Sequence, residues 1–314
     1  MPTVWSPLYY AAPLTPGGRD DDWCIDAVSR PPEVLFNFRK VPVETAITDL
    51  RDGGPQPELD AAGFERVVAP TRVDQRALAD GSASALERYE RETGELLRSR
   101  TGADAVLFFD ATLRREDTDT PRDPAHQSAH QRVHVDQSPR SAWARAADHG
   151  GPRRRFQIVN VWRPLLAPVR NFPLTMCDYR SVDPAADLVV TRLDFPAWLK
   201  DRENYSVKHN PGHRWHDWDS LTRQARSPRR APRPAGHCWY YWDSFTPDEV
   251  VLFKCYDSAS RGLALAAGDT GDTGDRDLAA VAGLCPHTAF FDENGPTTGR
   301  LRVSLELRAL LFYD

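Results

Sequence analysis

The stretch that most constrains how this chain can fold is Arg132-Val133-His134-Val135-Asp136-Gln137-Ser138. Val133 and Val135 alternate with polar neighbours, so the segment reads as a half-buried strand from which His134 and Asp136 leave on the same face. An imidazole and a carboxylate then converge on one point. With a second imidazole they form the facial set of two His and one carboxylate that holds non-haem Fe(II) while leaving positions open for a co-substrate and O2. His287, in Pro286-His287, is the candidate for that third ligand. In a chain with 9 His a His-x-Asp also arises by chance, so this spacing alone does not assign a metal.

The surrounding pattern is mainly β. Phe156 to Leu166 reads as a strong strand with Gln157, Val159, Val161 and Arg163 on one face and Ile158, Asn160 and Trp162 on the other. Residues 34–50 read as a strand pair around Pro42, Ala105 to Phe109 as a short buried strand, and His237–Tyr241 and Val250–Tyr256 as further strands. The segment Arg302 to Phe312 alternates, with Arg302, Ser304, Glu306 and Arg308 on one face and Val303, Leu305 and Leu307 on the other. Such a charged face either meets water or lines a polar cavity, and the pattern leaves both open. One helix is clear: Ser82 to Arg100 places Leu86, Tyr89, Thr93, Leu96 and Leu97 at helical spacing, and Gly102 supplies a stop.

From about residue 195 to 236 the chain is rich in Trp, His, Arg and Pro, which reads as a lid or long loop inserted in a single domain spanning residues 1–314. The run Gly268 to Asp275 reads as a flexible acidic loop. His126, His130 and His134 recur at intervals of four, the spacing of a zinc-hydrolase stripe on a helix. Pro121, Pro124 and the Val alternation argue against a helix there.

Charge and composition exclude several classes. A net charge of −5 and a pI near 6.0 leave no electrostatic footprint for nucleic acid or an anionic membrane. No apolar run is long enough to span a bilayer, and the first residues lack the basic and apolar regions of a signal peptide, so a cytoplasmic protein is expected. Its five cysteines are scattered without a Cys-x-x-Cys pair, which suggests free thiols rather than a disulfide framework or structural zinc.

Many short strands, one helix and a ligand pattern on a strand favour a mainly β fold with flanking helices: a double-stranded β-helix, the cupin-like jelly-roll barrel with a ligand cavity in its mouth. Fe(II) in such a barrel needs a source of electrons for O2, and 2-oxoglutarate supplies electrons together with two donor oxygens. Its far carboxylate must be held by a cation. Arg302 with Ser304, two apart on a strand after His287, offers a guanidinium and a hydroxyl together. Arg308 is the alternative anchor, with Glu306 two residues before it as an ion-pair partner.

The segments HVDQS (134–138), NVWRPL (160–165), CDYRSVD (177–183), PDEVVLFKCYDS (247–258), PHTAF (286–290) and RVSLELR (302–308) together resemble a fungal and bacterial family. It is grouped around gibberellin desaturase-like proteins, the asperfuranone-type hydroxylase/desaturase and the cephamycin methoxylation component. The resemblance runs from about Val34 to Phe312. It implies an iron- and 2-oxoglutarate-dependent oxygenase of specialised metabolism acting on a small molecule, with His134, Asp136 and His287 as ligands and the terminal Arg-x-Ser strand as co-substrate anchor. Hydroxylation is the expected outcome, with desaturation or oxidative ring formation at the same centre as alternatives. A zinc hydrolase and a non-catalytic jelly-roll binding protein are the rivals from other classes. The sequence does not indicate an oligomeric state.

Overall fold

The alternating segments become strands of two sheets. A computed structural model of the chain describes residues 1–314 apart from 16–17, 19–21, 32, 55, 116–130, 152–154, 197–202, 211–235, 261, 264–280 and 294–301. In chain order the first strands are β1 (Thr3–Ala12), β2 (Trp23–Asp26), β3 (Leu35–Phe36), β4 (Arg39–Asp49), β5 (Phe64–Val68), β6 (Ala105–Arg115), β7 (His134–Val135) and β8 (Arg155–Pro164). They are followed by β9 (Leu174–Cys177), β10 (Leu188–Asp194), β11 (Glu203–Val207), β12 (Trp239–Tyr241), β13 (Glu249–Asp257), β14 (His287–Ala289) and β15 (Val303–Tyr313). The helices are α1 (Leu59–Ala62), α2 (Gln75–Ala79), α3 (Ala83–Thr101), α4 (Pro139–Asp148) and α5 (Pro184–Asp187).

Ten strands make one sheet in the order β1-β4-β12-β9-β14-β7-β11-β10-β2-β3, and five make the other in the order β5-β13-β8-β15-β6. The larger sheet curls. Tyr9 bridges Arg132 and Ala11 bridges Lys208, which brings β1 back against the β7 and β11 region. Together the sheets form the expected jelly-roll architecture.

Strand parity explains the core. In β8 every residue is buried: Ile158 and Trp162 join the apolar layer between the sheets, while Val159 and Val161 join a second layer beneath α2 and α3. A strand covered on both sides needs apolar residues at both parities. In β15 Leu305, Leu307, Ala309 and Leu311 lie in that same outer layer, which leaves Arg302, Ser304, Glu306 and Arg308 turned inward. Helix α3 is capped by the Ser82 side chain at its start and ends at Gly102 with φ 70°, a left-handed conformation that glycine adopts without a Cβ clash.

Three expectations change. Pro42 does not separate two strands but lies inside β4 opposite Tyr9, where β12 does not reach, since it pairs only with Ile47 to Asp49. There a missing N–H interrupts no ladder on the open side. The apolar run Ala105–Phe109 opens an eleven-residue strand at the edge of the smaller sheet, partly rather than fully buried, because among the described residues β15 alone pairs with it. The expected insertion at 195–236 contains β11, a core strand between β7 and β10. The rest of that segment, like the 268–275 loop, lies almost wholly outside the described residues.

Candidate metal centre

Strands β7 and β14 are neighbours in the larger sheet, and His134 stands directly opposite His287. Their rings lie 4.5 Å apart between centroids. Asp136, just past β7, brings Oδ1 to 3.3 Å from Nε2 of His134 and 3.9 Å from Nε2 of His287. One donor atom from each of the three lies within 4.8 Å of the others, and all three residues are buried.

Hydrogen bonding sets the donor atoms. His134 Nδ1 lies 2.7 Å from the carbonyl oxygen of Arg132, and His287 Nδ1 lies 3.0 Å from that of Cys285. A carbonyl only accepts, so each Nδ1 carries the proton and each Nε2 presents a lone pair. Burial, reinforced by the neighbouring His287, pushes the His134 imidazole down to about 4 and keeps it neutral. Its lone pair therefore faces a carboxylate oxygen, an arrangement of two acceptors that a cation between them satisfies. Burial opposes the charge on Asp136, yet the Arg308 guanidinium holds its carboxyl well below the usual range.

The second oxygen of Asp136 is held from behind. Asn160 Nδ2 donates to Oδ2 at 2.7 Å, Arg308 Nη2 stands 3.3 Å away, and the Cys255 thiol approaches at 3.8 Å. Asn160 is not among the candidate site residues read from the sequence. The signal in the sequence is an amide on a strand face that is otherwise apolar, between Ile158 and Trp162, and the structure buries it fully.

The three residues open onto a cavity that is also lined by Arg302, Glu306 and Arg114. Arg302 is 4% exposed, donates from Nε to Ser304 Oγ at 3.2 Å and from Nη1 to the Phe172 carbonyl at 2.7 Å, and lies over the Trp162 ring. Arg308 is engaged elsewhere: with Asp110 at 3.2 Å and with Glu306 and Asp136 at 3.3 Å. The expected pair with Glu306 is present, and the contact with Asp136 is an addition.

Arg163, on the opposite face of β8 from Asn160, stands away from the cavity. It is 2% exposed and donates to the Tyr89 hydroxyl and to the Ala69 and Pro247 carbonyls, tying α3 to β8. Asp257 is a buried ion-pair partner of Lys254 and Arg155. His126 and His130 lie outside the described residues, and His134 belongs instead with Asp136 and His287.

Comparison with known proteins agrees with this architecture. The sequence matches the protein family described as Oxidoreductase/YMDC permease-like domain over residues 9–227 and 229–312. It is 30% identical over 303 residues to the hydroxylase/desaturase efuI of Hormonema carpetanum, covering 85% of this chain and 83% of that protein. The chain belongs to this hydroxylase/desaturase family. Within the family's wider similarities, the alpha-ketoglutarate-dependent dioxygenase tstK of Talaromyces stipitatus is 26% identical over 277 residues, covering 85% of this chain and 84% of that protein. The iron and alpha-ketoglutarate-dependent endoperoxidase NvfI shares the fold, with a TM-score of 0.75 and 21% identity over 99% of this chain and 98% of that one. No helix among the described residues is long and apolar enough to cross a membrane.

Proposed function

We propose that this hydroxylase/desaturase is an Fe(II)- and 2-oxoglutarate-dependent oxygenase that hydroxylates a C–H bond of a small organic substrate in natural-product biosynthesis. The observation that carries this reading is the buried pair of neutral imidazoles facing Asp136 Oδ1, a donor set that suits Fe(II) and leaves one side open to the cavity. His134, Asp136 and His287 would hold the metal. Iron bound there supplies the reductive activation of O2, at the expense of 2-oxoglutarate, that C–H oxidation requires.

The protein's own residues do the positioning. The carbonyls of Arg132 and Cys285 fix the tautomers, and Asn160 and Arg308 orient the carboxylate. Arg302 and Ser304 would receive the far carboxylate of 2-oxoglutarate. What supports Arg302 over Arg308 is the hydroxyl of Ser304 beside it and its place on the cavity lining, whereas Arg308 is surrounded by three carboxylates. Burial keeps water from competing for these charge-assisted bonds.

A single oxygenase domain is supported by the continuous core between the sheets, which draws on residues from Leu8 to Phe312. Five free, buried thiols fit a reducing, cytoplasmic setting. The finer grouping with gibberellin desaturase-like proteins and the cephamycin methoxylation component rests on the shared motifs.

Anaerobic titration with Fe(II) and then 2-oxoglutarate tests the reading. A visible metal-to-ligand charge-transfer band that needs both additions is expected, and its absence overturns the assignment. Product mass settles the outcome: gain of one oxygen marks hydroxylation, and loss of two hydrogens without oxygen marks desaturation.

A further inference from the structure

On the other side of the centre from Arg302 lies a second guanidinium that the proposed chemistry does not use. The cavity with Arg302 opens along β14, β9 and the start of β15. In the sheet order β9-β14-β7-β11-β10, the strands beyond the ligand His134 are β11 and β10. Ser206 of β11 stands directly opposite His134 and so shares its inward face. Arg132, two residues before His134, donates from Nη1 to Ser206 Oγ at 2.7 Å, which places its guanidinium on that face as well.

Arg132 is 4% exposed and is in no ion pair among the described residues, and its Nε is buried without a hydrogen-bond partner. Its one side-chain partner, Ser206, also accepts from Thr191 at 2.7 Å. Asn204 pairs opposite Thr191 and lies two residues from Ser206, about 7 Å along the strand at the usual rise. It is 7% exposed, and its Oδ1 likewise has no partner. Two buried polar groups with unmet hydrogen bonds therefore share one face beside a metal ligand. Other cations of the core have partners: Arg155 and Lys254 meet Asp257, Arg308 meets three carboxylates, and Arg163 fills Nε, Nη1 and Nη2 with neutral oxygens. Arg132 feels Asp136 only through space and keeps an unmet Nε. A buried guanidinium with an unmet donor and no ion-pair partner is costly to folding, and a ligand that brings an anion would meet both needs.

We propose that Arg132 receives a carboxylate of the substrate, with Asn204 accepting from a neighbouring hydroxyl or N–H, so that the substrate class is an organic acid. Val189 and Leu193 flank Thr191 on the same face and pack with Trp23 and Phe38, so the body beyond the carboxylate is apolar. This rests on the iron centre for its chemistry but not for its binding. The same anion could come from 2-oxoglutarate itself, and the test separates the two sources.

Calorimetric titration of sodium cinnamate, an apolar carboxylate, is compared with its neutral amide on the full chain loaded anaerobically with Fe(II) and 2-oxoglutarate. The acid is expected to bind at least about tenfold more tightly than the amide, as for other buried charge pairs. Arg132→Gln should erase that preference, Arg132→Lys should retain part of it, and the 2-oxoglutarate requirement should be unchanged in both. No acid preference in the wild-type protein, or an undiminished one in Arg132→Gln, overturns the proposal. So does a raised 2-oxoglutarate requirement with the cinnamate preference intact, which would make Arg132 a co-substrate anchor. The wild-type comparison needs no variant to fold. Repeated on protein without iron, it reads the anion site independently of any charge-transfer band, so failure of the iron assignment and failure of this one are distinguishable.

Discussion

At the scale of single residues, Asp136 divides its work between its two oxygens. Oδ1 faces the imidazoles, and Oδ2 is fixed by Asn160 and Arg308. Asp136→Ala removes the only negative ligand of the set and should abolish iron binding and turnover together, read as iron content after desalting. Asn160 acts on the metal only through Asp136. Asn160→Ala should therefore weaken Fe(II) affinity by about 10- to 100-fold, the usual effect of losing such a partner. A lowered melting temperature with unchanged iron affinity would show Asn160 to be purely structural. Arg302→Ala should raise the 2-oxoglutarate requirement at least about tenfold, from a loss on the order of 2 to 5 kcal/mol for one partner of a buried charge pair. Iron binding should survive in that variant. Arg308→Ala should instead weaken iron binding, because its contact is with Asp136. The opposite pattern in the two arginine variants would move the anchor to Arg308.

Individual elements differ in how far local sequence determines them, and β8 with β13 carries the buried charge that makes this testable by pH. Asp257 at the end of β13 accepts from Lys254 Nζ at 2.7 Å, Arg155 Nη2 at 2.5 Å and Gln157 Nε2 at 2.7 Å. Burial opposes its charge, but Lys254 and Arg155 hold its carboxyl down at about 2. The folded group thus sits below its ordinary value, so its contribution is fully present above about pH 4 and is lost as pH falls toward 2, about 2 kcal/mol in all. Asp257→Asn should cost about 3 to 5 kcal/mol near neutrality by leaving two cations short of a partner. Its gap from wild type in urea titrations should narrow between pH 4 and pH 2, and a constant gap would rule this network out as the cause. Helix α3 and strands β8 and β15 were legible because their periodicity is local and long. The polar face of β15 was legible too, but not its inward direction, because alternation alone does not say which side of a strand meets water. Strand β7 has two residues and β14 three, too short to carry a pattern, and each exists because the other, β9 and β11 pair with it. Asn160 and Arg132 were passed over because an amide or guanidinium in a strand gains meaning only from what faces it across the sheet.

For the whole molecule the centre joins parts of the chain far apart in sequence. His134 and His287 meet through a single register pair, β7·β14, in the middle of the ten-stranded sheet, with β4, β12 and β9 on one side and β11, β10 and β2 on the other. Few backbone bonds hold that seam, so an ion shared by His134, Asp136 and His287 should act as a clamp across it. Metal that binds the folded chain and not the unfolded one adds RT ln(1 + [L]/Kd), about 2.7 kcal/mol at a hundredfold excess over Kd. For a chain of this size that corresponds to a rise of roughly 4 °C in melting temperature. Anaerobic Fe(II) should therefore raise the transition, and chelation should return it to the metal-free value. Asp136→Ala should show the metal-free transition whether or not iron is present. Arg302→Ala should respond to Fe(II) like wild type and fail to gain the further increment from 2-oxoglutarate. A wild-type transition indifferent to Fe(II), or an Asp136→Ala protein that still responds, would mean that the three side chains meet for packing rather than to hold an ion.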